Sequence, residues 1–164
     1  MPGGAEPEAA EDRLRRLGYE LPAIPRPAGS YVPATRITGT VLFTAGQLPF
    51  EDGRLPYTGK VGEDVSVEEA KEAARLCALN ALAAVEAEAG TLKNVRRVAK
   101  VTGYVASAPG FSEQPEVING ASDLLSVIFG EKGLHARAVV GVSELPLNAP
   151  VEVELIVELA EEQG

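Results

Sequence analysis

The sequence predicts a single α+β domain, a mixed β-sheet with two helices on one of its faces. Three observations carry that expectation. The 164-residue chain is 45% apolar, enough to bury one core and short for two. Apolar residues recur at three-and-four spacing across 70–85 and 117–128, the mark of helices with one buried face, and alternate with polar ones across 151–158, the mark of a half-buried strand. The elements follow one another as strands, helix, strand, helix, two strands, the order of an α+β sandwich.

The N-terminal stretch Met1 to Asp12 is rich in Glu, Ala and Gly, and the composition predicts a mobile acidic tail. The domain then runs over 13–164, with 13–24 as an N-terminal extension. Within EDRLRRLG a short helix is expected from the spacing of Leu14, Leu17 and Leu21, with Gly18 as its C-cap. Prolines at positions 22, 25, 27 and 33 forbid a helix in the next stretch and predict an extended lead-in.

Paired strands are expected in the first third, where Val41-Leu-Phe-Thr is a strand signal and Glu51-Asp-Gly53 a turn of the Asp-Gly kind. Ser66-Val-Glu-Glu69 is a capping box that starts a long helix. Its buried face is Ala70, Ala73, Ala74, Cys77, Ala78, Ala81, Leu82 and Val85, and Gly90 ends it. Small residues there predict close packing on the sheet. Arg97 to Ser107 reads as a further strand, and Ser112 as the cap of a second helix whose stripe is Val117, Ala121, Leu124, Leu125 and Ile128. Gly120 inside that helix costs roughly 1 kcal/mol relative to alanine, which suggests a close approach.

The last two strands carry the most informative chemistry. In HARAVVGVSELPLNAPVEVELIVE, Arg137 opens one strand and Glu152 lies near the start of the next, with the Pro146 to Pro150 turn between them. An arginine and a carboxylate so placed can hold a small organic acid and move a proton beside it. The last strand is apolar on one side and largely acidic on the other, through Glu152, Glu154 and Glu158. With helices on the apolar side, the acidic side is expected to meet water or another subunit.

Composition excludes several classes. A net charge of -9 argues against a surface built to hold phosphates. Cys77 is alone and His135 is the one histidine, so no intrachain disulfide and no cysteine or multi-histidine metal site is expected. The lone thiol fits a reducing, cytoplasmic setting. There is no apolar run of membrane-spanning length and no signal-peptide pattern, so neither membrane insertion nor export is expected. Walker and Rossmann glycine motifs are absent, and no nucleotide cofactor is implied.

The segments GSYVPA, LFTAGQLP, VINGAS and HARAVVGVSELPLNAPVEVELI, in that order, resemble the reactive intermediate deaminase family, also called YjgF-like and, under an older name, endoribonuclease L-PSP. The likeness covers roughly positions 25 to 160. It implies a chorismate-mutase-like fold of the bacillary type, a homotrimer with clefts between neighbouring subunits, and hydrolysis of 2-imino or enamine acids to 2-keto acids with release of ammonia. It implies no metal and no organic cofactor.

The resemblance also implies roles. Arg137 matches the arginine that grips the substrate carboxylate, a task suited to a planar guanidinium that pairs both oxygens. Glu152 matches the acid that orients or activates water, and a neighbouring Arg137 would keep it ionised. Tyr31 matches a cleft-lining tyrosine, Gly46 a glycine whose backbone lies close to the ligand, and Asn119 a cleft asparagine. The first four have plainer readings, an exposed strand arginine, a solvated acid, a buried tyrosine and strand packing, and the Asn119 match holds if the following helix carries one extra residue.

The chain departs from the family pattern in ways that leave its substrate open. Ala45 stands where many deaminases have serine and Val139 where many have cysteine. An N-terminal extension before position 25 and a longer segment around Leu55 to Asp64 place it with the longer branch. A non-catalytic, small-carboxylate-binding or regulatory trimer is the alternative from another class. Endoribonuclease activity would have to rest on Lys93, Arg96, Arg97 and Lys100, the one basic cluster. With an acidic chain, no aromatic stacking series and no histidine pair, nucleic acid is not the expected partner.

Overall fold

The structure, a computed structural model, describes residues 8–24 and 26–161. A short helix α1 (Ala10–Arg16) precedes strands β1 (Ala34–Ile37) and β2 (Val41–Thr44). The long helix α2 (Val67–Ala89) leads to β3 (Val95–Ala106), α3 (Gln114–Phe129), β4 (Ala136–Val142) and β5 (Val151–Leu159). The five strands form one mixed sheet in the order β1-β2-β5-β3-β4. Only the β3–β4 pair is parallel, because α3 supplies the crossover that two parallel strands require. This is the predicted α+β sandwich, with α2 and α3 on one face.

One expected relation is corrected. The two closing strands are not neighbours, since β3 lies between β4 and β5. Because β4 runs parallel to β3, the Pro146 to Pro150 connection must carry the chain across the end of β3 to its other side. There β5 pairs antiparallel with β3 over nearly its whole length.

The N-terminal reading also shifts. Residues 1–7 of the expected tail lie outside the described residues, but Ala10, Glu11 and Asp12 already belong to α1. This helix starts early because Ala10 and Leu14 are buried and Arg13 Nη1 donates to the Ile128 carbonyl at 2.9 Å. Gly18 follows the helix with φ of 79°, the left-handed conformation of a C-terminal glycine.

The capping box is present on both sides: Glu69 N donates to Ser66 Oγ at 3.2 Å, and Ser66 N donates to Glu69 Oε2 at 2.9 Å. Every residue of the predicted apolar face of α2 is buried. So are Leu76, Leu79, Asn80, Ala83 and Ala84, because α2 is wedged between the sheet and α3. Helix α3 starts differently from expectation: Glu113, not Ser112, is its N-cap, and no side chain caps it. Pro115 has no N–H to satisfy in that first turn, and Gln114 Nε2 instead ties back to the Phe111 carbonyl at 2.9 Å and Ser107 Oγ at 3.2 Å. At Gly120 an added Cβ would run into the backbone carbonyl of Lys71, so the close approach foreseen there is between α3 and α2.

Two turns use left-handed residues. Asp52 and Gly53 both have positive φ, and Glu51 and Arg54 exchange backbone hydrogen bonds around them. The strand pairing of the first third runs instead through β1 and β2, joined at Thr38 and Gly39.

The open face of the sheet is less acidic than β5 alone suggested. Register places Phe43 opposite Ile156, Val41 opposite Glu158, and Ile37 opposite Val41. Val140 joins them by its pairing to Tyr104, itself opposite Glu152. Apolar side chains therefore share this face with the glutamates, and Ile37, Phe43 and Val140 are exposed there.

Candidate functional site

The five residues singled out from the sequence fall into two groups on opposite sides of the sheet. Tyr31, Gly46 and Glu152 line one cavity of about 920 Å³. Arg137 and Asn119 stand elsewhere and touch each other.

The first group is held by the loop after β2. Gln47 exchanges backbone hydrogen bonds with Val153 at 2.8 and 3.0 Å, which lays residues 45–47 against β5 beside Glu152. At Gly46 an added Cβ would collide with the carboxylate of Glu152. A glycine there lets the Glu152 carboxylate keep its place without displacement. Glu152 is half-buried, and its carboxyl lies above the usual range, first because burial disfavours the charged form and second because Glu154 repels it. Tyr31 is exposed, and its hydroxyl accepts from Ala28 N at 3.3 Å. That oxygen fixes the proline-rich lead-in.

Asn80 was not legible as part of this region. It is almost fully buried in α2, and its Nδ2 donates to the carbonyls of Phe50 at 2.9 Å, Leu76 at 3.0 Å and Leu48 at 3.3 Å. It pins the loop bearing Gly46 to the long helix. Its Oδ1 is buried without a partner. The available signal was one amide inside the apolar run Leu79-Asn80-Ala81-Leu82.

The second group sits where β4 meets α3. Arg137 pairs in register with Val101, which is buried under the helices, so its side chain leaves the sheet on the helix side. Its Nη1 donates to Asn119 Oδ1 at 2.8 Å and to Ser122 Oγ at 3.2 Å. Ser122 in turn lies 2.9 Å from His135 Nε2, and His135 Nδ1 lies 2.6 Å from the Gly133 carbonyl. That carbonyl can only accept, so Nδ1 donates to it, and Nε2 is left to pair with the serine hydroxyl. His135 lies in the loop just before β4, and Ser122 is a contact of Arg137 that sequence reasoning missed.

Arg137 does not neighbour Glu152 within one chain. Glu152 pairs with Tyr104 and Arg137 with Val101, so they stand three residue rows and two strands apart and point to opposite faces. That is about 10 Å along the strands and about 10 Å across them. Within one chain Arg137 therefore has no part in the shift at Glu152, whose causes are burial and Glu154.

Other candidates resolve into structure. Cys77 is fully buried, and burial pushes its thiol well above its ordinary value, the opposite of an activated nucleophile. In the basic cluster, Arg96 and Arg97 lie 3.9 and 3.5 Å from Glu158, which offsets part of its charge. Among the described residues, no group of three or more His, Cys, Asp or Glu stands together as a metal would need, and no helix is long and apolar enough to cross a membrane.

A five-stranded mixed sheet with two long helices on one face is the form of a YjgF/chorismate-mutase-like domain. The chain belongs to that family: residues 11–159 match the family described as "YjgF/chorismate mutase-like, putative endoribonuclease". Protein TCP17 of Trypanosoma cruzi is 46% identical over 147 residues, covering 89% of this chain and 91% of that one. Among solved structures, Atu1372 of Agrobacterium tumefaciens, a protein of unknown function, is 51% identical with a TM-score of 0.84 over 92% of both chains. A putative endoribonuclease from Shewanella oneidensis MR-1 is 36% identical with a TM-score of 0.90, covering 93% of this chain and 100% of its own.

Proposed function

We propose that this protein hydrolyses 2-imino and enamine acids to 2-keto acids, in clefts shared between the subunits of a homotrimer. The observation that carries the reading is the setting of Glu152: a half-buried carboxyl whose pKa is raised by burial and then by Glu154, on the wall of a largely apolar cavity. Such a group can take a proton and return it.

In the proposed cleft, Arg137 of one copy faces Glu152 of the next. Arg137 has the donors to bind a carboxylate in two-pronged fashion, and Asn119 and Ser122 steer its Nη1. Glu152 accepts a proton from water as the oxygen attacks C2 of the iminium. The tetrahedral carbinolamine then receives that proton on nitrogen, Glu152 takes the hydroxyl proton as the C–N bond breaks, and a 2-keto acid is left behind while the departing ammonia picks up that proton. The iminium and one water account for all atoms of the keto acid and ammonium. Two features support a shared cleft: Arg137 and Glu152 lie too far apart to hold one small acid within a chain, and the open sheet face exposes Ile37, Phe43 and Val140 for packing against another copy.

The test is to generate an imino acid in place with an amino-acid oxidase and follow its loss. Wild type should exceed the buffer rate, and Arg137→Ala should lower kcat/KM by ~100-fold, the effect of losing charged hydrogen bonds to the substrate. An unchanged Arg137→Ala rate, or no acceleration by wild type, refutes the deaminase. Binding of 2-keto acids that needs Arg137 but comes without turnover would favour the carboxylate-binding alternative.

A further inference from the structure

The cavity that holds Glu152 is much larger than its polar corner. Tyr31, Gly46 and Glu152 occupy one side, and the remainder is walled mainly by apolar groups from three places in the chain. The proline-rich segment contributes Pro22, Ile24 and Pro27, the loop after β2 contributes Leu48 and Phe50, and the β4–β5 connection contributes Leu147.

Two of these side chains are placed at a disadvantage that packing does not explain. Leu147 is 66% exposed and Ile24 37% exposed. Leu147 also has φ of 57°, and Asn148 after it 59°. A leucine in the left-handed region costs roughly 1–2 kcal/mol, and such strain persists where surrounding structure fixes it, commonly at binding sites. The fixing contacts are visible. Gly59 N donates to the Asn148 carbonyl at 2.8 Å, and Lys60 Nζ lies 3.2 Å from Glu144. The Leu55 to Asp64 segment thus braces the turn that presents Leu147. The two segments in which this chain exceeds the family pattern therefore serve the same cavity, one forming a wall and the other supporting the turn opposite.

We infer that the site takes acids carrying a bulky apolar substituent, aromatic or long aliphatic, which lies against Ile24, Phe50 and Leu147 while its reacting end sits at Glu152. In the single chain this open cavity measures about 920 Å³, which leaves room for a substituent much larger than the methyl group of a three-carbon acid. This inference names the substrate class of the proposed deaminase and rests on that reading for its reaction, though not for its binding.

The experiment has two arms. In the first, imines made in place from phenylalanine and from alanine are compared. The phenylalanine-derived one should have at least about tenfold higher kcat/KM, which corresponds to ~1.4 kcal/mol of extra apolar burial. The ratio should fall toward one in Ile24→Asp and in Leu147→Asp. In the second arm, calorimetry compares phenylpyruvate with pyruvate, and phenylpyruvate should bind at least about tenfold tighter, with the difference lost in the same variants. If no imine is turned over, the proposed reaction fails and calorimetry alone decides the ligand class. Should imines turn over without preference and phenylpyruvate bind no tighter than pyruvate, the reaction stands and this inference is overturned. It is equally overturned if the two Asp variants alter sedimentation and leave both ratios unchanged, because another copy would then be what covers the apolar wall.

Discussion

Glu152 carries an ionisable group into a place that disfavours its charge. Its folded pKa is raised above the unfolded value by burial, then by Glu154. The stability linked to its protonated form is therefore complete below the unfolded value and lost as pH rises through the folded one. At neutral pH the ionised carboxylate works against folding. Glu152→Gln keeps the shape and removes that effect, so it should melt above wild type at pH 7, with the gap closing as pH falls below the ordinary carboxylate range. A gap that is constant with pH would refute the desolvated carboxyl. Individual residues were legible to different depths for physical reasons. Arg137, Asn119, Gly46, Tyr31 and Glu152 stood out through residue type and motif, but which face each occupies depends on strand register, a long-range property that alternation alone does not fix. Asn80 was invisible as a clamp because a single amide in a helix is ordinarily solvent-facing.

The helices show why some elements are readable and others are not. The start of α2 is written locally in Ser66 and Glu69, and its end in Gly90, so its limits follow from adjacent residues. The start of α3 depends on a proline and on Gln114 reaching back to Ser107 and Phe111, contacts that exist only once β3 is in place. The separation of β4 from β5 by β3 is likewise non-local: alternation describes each strand but not its neighbour. The α2–α3 contact yields a test at this scale. Gly120→Ala would force a methyl group against the Lys71 carbonyl, and the helices must part. It should lower stability by ~2 kcal/mol or more in denaturant titration, although alanine is the better helix former by roughly 1 kcal/mol. A stabilised variant would mean that the two backbones do not meet there.

At the scale of the whole molecule, the two halves of the proposed site lie on opposite faces of one sheet, so the reading demands cooperation between copies. Arg137→Ala and Glu152→Gln should each be inactive as pure proteins. When they are co-expressed with different tags and purified as mixed oligomers, a cleft is intact wherever a chain retaining Arg137 meets one retaining Glu152. With random assembly of a cyclic homo-oligomer that is about a quarter of the clefts, and imine hydrolysis should recover to about that share of wild type. Mixed oligomers as inactive as the parents would place both residues' work within single chains and remove the shared cleft.

The way the cavity is attached has an evolutionary consequence. Its chemical corner is bolted to the core, through Gln47 paired to Val153 and through Asn80 holding the carbonyls of Leu48 and Phe50. The proline-rich span that carries Pro22, Ile24 and Pro27 is tethered separately, by Leu21 packing on the core and by the Tyr31 hydroxyl accepting from Ala28 N. Substitutions in that span can reshape what is admitted without moving the glutamate or the glycine behind it. On the proposed reading, descendants can change diet while keeping their chemistry, since the two parts of the site are mounted on separate supports.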